Sequence, residues 1–327
     1  MAIPNFTYVR AKSLREAVQQ LSAKEARLHA GGTDLLGCLR DEVFTASKIV
    51  SIGQLNDLRG IREMKGGGVQ IGALTSIAEV AGHPLIRKQY PALAKGAGEV
   101  ASPALRNQGT LGGNICQKPR CWYYRGEFHC LRKGGDRCYA VQGENHYHCL
   151  FGSDQICYIV HPSDTAPALM AYEATVRIAG PKGTRRVPID RFFVRPGEDF
   201  QKETVVGSGE IVMQILLPPS IRGLRSSYRR IRARRSWDFA LAGVALALQF
   251  EGEEVRKARV VLSGAAPIPW RSREAEEVLT GKRLEGETIS RAAKTAMEKA
   301  QPLAHNGYKI PLFRGLIEEE LQALARG

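Results

Sequence analysis

The 327-residue sequence predicts an α+β protein of more than one domain. Three observations carry this. Short apolar runs alternate with helical patterns up to Pro218-Pro219. Beyond that break three strand-like runs follow one another, and three helical patterns close the chain. Apolar residues make up 43% and charged residues 24%, the balance of a globular protein with a sizeable core.

Ser13-Leu14-Arg15-Glu16 is a capping-box pattern, and it opens a helix with apolar Leu14, Ala17, Val18 and Leu21. A short strand, Ala26 to Ala30, runs into Gly31-Gly32-Thr33-Asp34. Ile49 to Ile52 and Val69 to Ile71 read as further strands. Thr75 is placed to cap a helix reaching Val80, and Pro91 to Val100 suggests another. The segment from Pro119 to Tyr158 is rich in Gly, His and charge and has no helical or strand period. Something other than an apolar core should order it. Strands are expected at Ala174 to Ile178 and Ile211 to Leu217. After Pro218-Pro219, antiparallel strands are expected at Ser226 to Ile231, Leu241 to Phe250 and Val255 to Ser263, the last two turned by Glu251-Gly252-Glu253-Glu254. Helices should cover Ser272 to Leu279, Glu287 to Ala300 and Leu312 to Ala325.

No apolar run approaches the ~18 residues of a membrane helix. The N-terminus lacks a basic segment followed by an apolar stretch, so a cytoplasmic location is expected. An odd count of seven cysteines argues against a disulfide framework. The net charge of +14 leaves nucleic acid, acidic lipid, phosphate ligands and acidic proteins as partner classes. Five arginines between Arg229 and Arg235 form the densest basic run. They read as a strand with Arg230, Arg232 and Arg234 on one face. No zinc-finger spacing, ribonucleoprotein motif or basic zipper accompanies them, which argues against nucleic acid.

Two glycine loops carry the first chemistry. In Ala30-Gly31-Gly32-Thr33-Asp34-Leu35-Leu36 the paired glycines let the backbone approach a pyrophosphate, with N–H groups and the Thr33 hydroxyl as donors. Thr110-Leu111-Gly112-Gly113-Asn114 repeats the arrangement. Two such loops suit the two phosphates of a dinucleotide, though neither is the GxGxxG fingerprint. Taken singly, each also reads as a tight turn. Asp164 is either a hydrogen-bond acceptor or a helix N-cap.

Five of the seven cysteines, Cys121, Cys130, Cys138, Cys149 and Cys157, lie in the aperiodic segment. Four thiolates hold zinc or an iron–sulfur cluster. There is no CxxC knuckle, and the spacing is not that of a ferredoxin. Cys38 and Cys116 read as ordinary buried thiols, and His129, His146 and His148 as polar loop residues.

AGGTDLL, RNQGTLGGNIC, HPSD and RIRARRSWDFALAGVALAL, in this order, resemble the flavoprotein subunit of the molybdenum hydroxylases. The cysteine segment narrows the likeness to the flavin subunits of 4-hydroxybenzoyl-CoA reductase and of aldehyde oxidoreductases that carry an extra [4Fe-4S] loop. The resemblance implies a two-lobed FAD-binding domain of the vanillyl-alcohol-oxidase type over residues 1–220. Its parts would be about 1–55 and 56–220, with a cluster insertion at 119–158. A small α+β domain with an antiparallel sheet and helices would follow at 221–327. It implies FAD contacts from His29, Ala30, Gly31, Gly32, Thr33, Asp34, Leu35 and Leu36. Further contacts would come from Ala101, Ser102, Thr110, Gly112, Gly113, Asn114, Ile115, Asp164 and Leu217. Arg230 stands where a lysine often lies near the flavin ring. Cys121, Cys130, Cys138 and Cys157 are the implied cluster ligands, and a quartet with Cys149 in place of Cys157 is the alternative.

The implied role is electron transfer, with no catalytic acid–base pair or nucleophile in this chain. The implied partners are a large molybdenum-cofactor subunit and a small subunit with two [2Fe-2S] clusters, assembled as a dimer of heterotrimers. An acidic carrier such as ferredoxin would suit the positive charge. Asn114 and Cys121 are seven residues apart, as are Cys157 and Asp164. Each tether therefore spans at most about 25 Å, and both ends of the insertion are pinned to the flavin loops. A stand-alone flavin oxidoreductase with a structural zinc loop is the competing reading.

Overall fold

The computed structural model describes residues 3–326. A three-stranded parallel sheet comes first: Thr7–Arg10, Lys48–Ser51 and Ala26–His29, with Lys48–Ser51 in the centre. Parallel pairing requires crossovers, and helices Leu14–Leu21 and Leu35–Arg40 supply them. Ser13 accepts from the Glu16 N–H at 3.1 Å, as the capping pattern predicts. Ala17 and Leu21 pack on Val50 and Ile52. The strand Ala26–His29 delivers Gly31-Gly32 to the carboxyl end of this sheet, where ligands of parallel sheets bind.

A five-stranded antiparallel sheet follows, in the order Ile61–Glu63, Val69–Gly72, Ile211–Leu217, Thr175–Gly180, Gly183–Pro188. Helices Ile77–Gly82, Pro91–Glu99 and Thr165–Ala171 contribute to its core. The helix expected to start from Thr75 is capped one residue later. Ser76 and Glu79 form a reciprocal capping box. The Thr75 hydroxyl is instead spent on the backbone of Gly60, at 3.0 and 3.2 Å.

The last sheet is antiparallel: Leu224–Ile231, Ala242–Glu251, Glu254–Ser263 and Trp270–Arg271. Strand Ala242–Glu251 is buried on both faces, which explains its unbroken apolar sequence. Val244, Leu246 and Leu248 join the core under helices Arg273–Leu279, Gly286–Thr295 and Lys309–Arg326. Ala245 and Ala247 join the core of the five-stranded sheet. The expected helix to Ala300 ends at Thr295. The arginine strand also ends early, at Ile231: Asp238 accepts from the Arg234 N–H at 3.2 Å, holding 232–240 as a loop. Arg230, Arg232 and Arg234 therefore do not share a strand face, because only Arg230 lies in the strand, where it is buried.

The cysteine segment has only a small core, Tyr124 and Cys130 packed with Cys38 and Val43. It contains only the short helix Trp122–Arg125 and a 3-10 turn, Leu131–Lys133. Leu150 and Phe151 enter the core of the last sheet, and Phe151 stacks on Trp270 at 5.1 Å. No helix among the described residues is long and apolar enough to cross a membrane.

Candidate functional site

A cleft of about 660 Å³ lies where the parallel sheet, the second glycine loop and the last sheet meet. That volume is in the range of cofactor pockets. Its floor is backbone. The Gly31 Cα faces the Gln108 carbonyl so closely that a Cβ there would stand 2.1 Å from the oxygen. Gln108 Nε2 returns a hydrogen bond to the Gly31 carbonyl at 3.1 Å. Gly32 takes φ +74°, a left-handed conformation suited to glycine. Gly112 packs on Ala73, 2.8 Å from where its own Cβ would be. Both glycine pairs thus allow close backbone packing at the cleft, although the Gly112 N–H is itself spent on the Ala73 carbonyl at 2.9 Å.

The side chains of these motifs are largely committed to the fold. Thr110 Oγ1 accepts from the Gly113 N–H at 3.2 Å. Asn114 Oδ1 accepts from Ser163 Oγ at 2.5 Å and Thr165 Oγ1 at 2.7 Å. Asp34 receives Arg125 at 2.7 Å, Arg120 at 2.9 Å and the Lys118 N–H at 2.7 Å. Its carboxylate therefore clamps the start of the cysteine segment. Asp164 is buried; its oxygens accept from Arg230 Nη1 at 2.7 Å and Tyr228 Oη at 2.6 Å. Burial pushes this carboxyl up, while Arg230 and Tyr228 pull it down. It occupies the N-cap position of helix Thr165–Ala171 but makes no side-chain cap bond. Arg230 Nε is buried with no hydrogen-bond partner, although a Glu99 carboxylate oxygen stands 3.6 Å away.

Of the expected contacts, Ala30, Gly31, Gly32, Thr33, Asp34 and Leu35 line the cleft. Ala101, Thr110, Gly112, Gly113, Asn114, Asp164 and Arg230 line it as well. His29 and Leu36 line a second hollow on the other side of the Gly31–Thr33 loop. Three residues lie away from the cleft lining. Ser102 caps helix Pro103–Gln108. Ile115 is buried in the core, and Leu217 sits in the central strand of the five-stranded sheet. Sequence reasoning missed Leu21 to Leu28, Lys202 to Thr204, Val206 to Glu210 and Trp237 to Phe239, which also contribute to the wall. Gly207-Ser208-Gly209 was the one visible signal among them.

Cys121, Cys130, Cys138 and Cys157 line a single small cavity, with Tyr123, Tyr124, Arg132 and His148 around them. Cys149 is fully buried but does not line it. Burial pushes the Cys121 thiol up to about 12, and neighbouring Cys157 and Cys138 push in the same direction. Cys157 is pushed up to about 11 by burial, against the pull of Arg132. His148 Nε2 lies 3.3 Å from Cys121 Sγ. Such crowded thiols hold their protons at neutral pH unless a metal displaces them. Among the described residues, no three His, Cys, Asp or Glu side chains are drawn together as ligands of one ion. Cys130, Tyr124 and Cys38 share a small core, so helix Leu35–Arg40 packs on one wall of this cavity, and Arg132 of the cavity meets Glu203 of the cleft. Cys38 is fully buried and Cys116 only half-buried.

His161 adds a pH dependence. Its Nδ1 accepts from the Ser163 N–H at 3.4 Å, its Nε2 is buried without a partner, and Phe193 meets the ring edge-on at 4.7 Å. Burial lowers its pKa to about 4. The unfolded chain takes up this proton near pH 6.5 and the folded chain only near 4, so stability falls as pH drops through that window. The expected loss is about 3 kcal/mol. Denaturant unfolding at pH 7 and pH 4.5 should show a smaller difference in His161→Gln than in the wild type.

Comparison with known proteins fits this geometry. Residues 4–220 match the FAD binding domain in molybdopterin dehydrogenase, and residues 226–324 match the CO dehydrogenase flavoprotein C-terminal domain. The chain is 34% identical over 315 residues to the aldehyde oxidoreductase FAD-binding subunit PaoB of Escherichia coli, covering 94% of this chain and 95% of that one. It is 29% identical over 330 residues to the carbon monoxide dehydrogenase medium chain of Hydrogenophaga pseudoflava, covering 99% and 98%. The solved carbon monoxide dehydrogenase of that organism, lacking the Mo-pyranopterin moiety of its cofactor, superposes with a TM-score of 0.79 at 28% identity over 99% of this chain and 98% of that one. Quinoline 2-oxidoreductase from Pseudomonas putida shares the fold, with a TM-score of 0.79 at 23% identity over 100% and 99%. Two adjoining family matches that together span nearly the whole chain, over a cleft floored by paired glycines, identify the protein as an FAD-binding medium subunit of the molybdenum hydroxylase and CO dehydrogenase family.

Proposed function

We propose that this subunit relays electrons between FAD in the cleft and a [4Fe-4S] cluster held by Cys121, Cys130, Cys138 and Cys157. The carrying observation is that these four thiols line one cavity, joined to the cleft wall through helix Leu35–Arg40 and the Arg132–Glu203 pair. The donor set is all sulfur, which suits an iron–sulfur cluster. FAD supplies two-electron and one-electron exchange, and a cluster supplies single electrons. The protein's own part is to hold both sites in one rigid frame. Asp34 grips Arg120 and Arg125, and Glu203 grips Lys118 and Arg132, so the cysteine segment is tied to the cleft wall.

The Gly31 and Gly32 N–H groups are the donors that would face the pyrophosphate, and the buried Arg230 Nε is a further free donor. In this reading residues 1–220, with the insertion at 119–158, bind FAD and cluster, and residues 221–327 buttress them. The working unit is a cytoplasmic complex with a large molybdenum-cofactor subunit and a small subunit carrying two [2Fe-2S] clusters, paired as a dimer of heterotrimers. An acidic carrier such as ferredoxin would exchange electrons with it.

Anaerobically purified protein should contain FAD and about four irons with matching acid-labile sulfide per chain. Cys157→Ser should lose the iron and Cys149→Ser should keep it. Zinc in place of iron, or the reverse behaviour of those two variants, would refute the assignment.

A further inference from the structure

Lys309 opens helix Lys309–Arg326 and is completely buried. Its ammonium donates to the carbonyls of His148, at 3.0 Å, and Gly264, at 2.6 Å. No carboxylate among the described residues pairs with it, and burial lowers its pKa to about 8, which leaves it charged at pH 7. Burying an ammonium without an anion is strongly unfavourable, so its presence calls for a reason.

Anchoring does not require a charge. Neutral groups already fasten the cysteine segment to the stretch before the helix. Asn306 Nδ2 donates to the carbonyls of His148 and Cys149 at 3.1 and 3.0 Å. Asn145 Oδ1 accepts from the His305 N–H at 2.9 Å. The Leu150 carbonyl accepts from the Gln301 N–H at 2.8 Å.

What distinguishes the position is its neighbour. His148, whose carbonyl Lys309 holds, lines the thiol cavity and lies 3.3 Å from Cys121 Sγ through its ring. Cys149, the next residue, is fully buried, and its carbonyl accepts from Asn306 beside the start of the Lys309 helix. The positive charge therefore stands one residue behind the cavity wall. Four thiolates around an iron–sulfur core leave the whole anionic, and uptake of one electron adds a further negative charge. A fixed cation nearby favours the reduced form.

We infer that Lys309 is an electrostatic tuning residue that raises the reduction potential of the cluster bound by Cys121, Cys130, Cys138 and Cys157. It acts through the wall of the site and touches no ligand. The inference rests on the cluster reading of that cavity. A unit charge about 10 Å away, at an effective dielectric constant of ~20, shifts a one-electron equilibrium on the order of tenfold.

The test uses the full-length chain in its complex, purified anaerobically and titrated at pH 7 with the reduced cluster followed by electron paramagnetic resonance. Lys309→Met removes the charge and the donors. Lys309→Gln removes the charge and keeps donors. Both should keep wild-type iron, sulfide and flavin while reduction becomes about tenfold less favourable, about 59 mV more negative. An unchanged potential in both variants overturns the inference. So does a shift in Lys309→Met alone, which would make the lost hydrogen bonds the cause. So does loss of iron from both folded variants, which would make Lys309 a clamp. Wild-type protein lacking iron and sulfide would instead refute the cluster reading itself.

Discussion

Gly31→Ala should fold and yet purify with less than about a tenth of the wild-type flavin. The added Cβ would stand 2.1 Å from the Gln108 carbonyl oxygen and 3.2 Å from Gly109 Cα. Both are backbone, so neither escapes by a rotamer change. Gln108 ends helix Pro103–Gln108, and the next carbonyl, of Gly109, accepts from the Ile77 N–H at 2.9 Å. The loops must therefore separate by about an ångström against two anchored elements, which overpacking data place at about 1–3 kcal/mol. That strain falls on the contact forming the cleft floor, while the cores of all three sheets are untouched. Binding should thus weaken more than folding, by roughly 10- to 100-fold in FAD affinity. Gly82→Ala is the control: nothing lies within 4 Å of its added Cβ, and helix propensity favours it. The flavin-to-protein absorbance ratio and FAD titration of the stripped protein read the outcome. Full flavin in Gly31→Ala would show that the loops part without consequence.

The same glycine shows how far the sequence was legible. Paired glycines after a strand pointed to the cleft, and both pairs line it. Their physical duty is different from the one they suggested: they let two loops touch, and backbone approach to a ligand follows from that. Asp34 was legible as a member of the motif but not in its role. Its partner Arg125 is 91 residues away, and an ion pair across that distance leaves no periodicity to read. The strand Ala242–Glu251 was readable as buried from its apolar run. That a second core lies on its other face follows only from the packing. The arginine run misled because alternation was extended past Ile231, where Asp238 turns the chain instead. The stretches Lys202 to Glu210 and Trp237 to Phe239 reach the cleft as loops, and loops carry no period. The cysteine spacing matched no short signature because its four cavity-lining thiols are gathered by tertiary contacts spread over residues 121–157.

Asp164→Ala should destabilise the protein by about 3–5 kcal/mol, the range for removing one member of a buried ion pair. The carboxylate is 3% exposed and Arg230 is 8% exposed, so the stranded guanidinium has little access to water. Glu99 cannot replace it. Its carboxylate is 3.6 Å from Arg230 Nε, is 42% exposed, and already meets Arg232 at 3.1 Å. The Tyr228 hydroxyl loses its 2.6 Å acceptor in the same step and keeps only Ser263 at 3.4 Å. Because Tyr228 and Arg230 lie in strand Leu224–Ile231 and Asp164 precedes helix Thr165–Ala171, the pair joins the last sheet to the flavin-binding part. Loosening there should let the two parts unfold separately, so denaturant curves followed by tryptophan fluorescence and by circular dichroism should no longer coincide. Removing both charges distinguishes pairing from packing. Asp164→Ala with Arg230→Met should regain part of the lost stability, a coupling between contacting residues of at least about 1 kcal/mol. It should not regain flavin, since both side chains line the cleft. If the double variant were no more stable than Asp164→Ala alone, the unpaired buried charge would not be the cause of the loss.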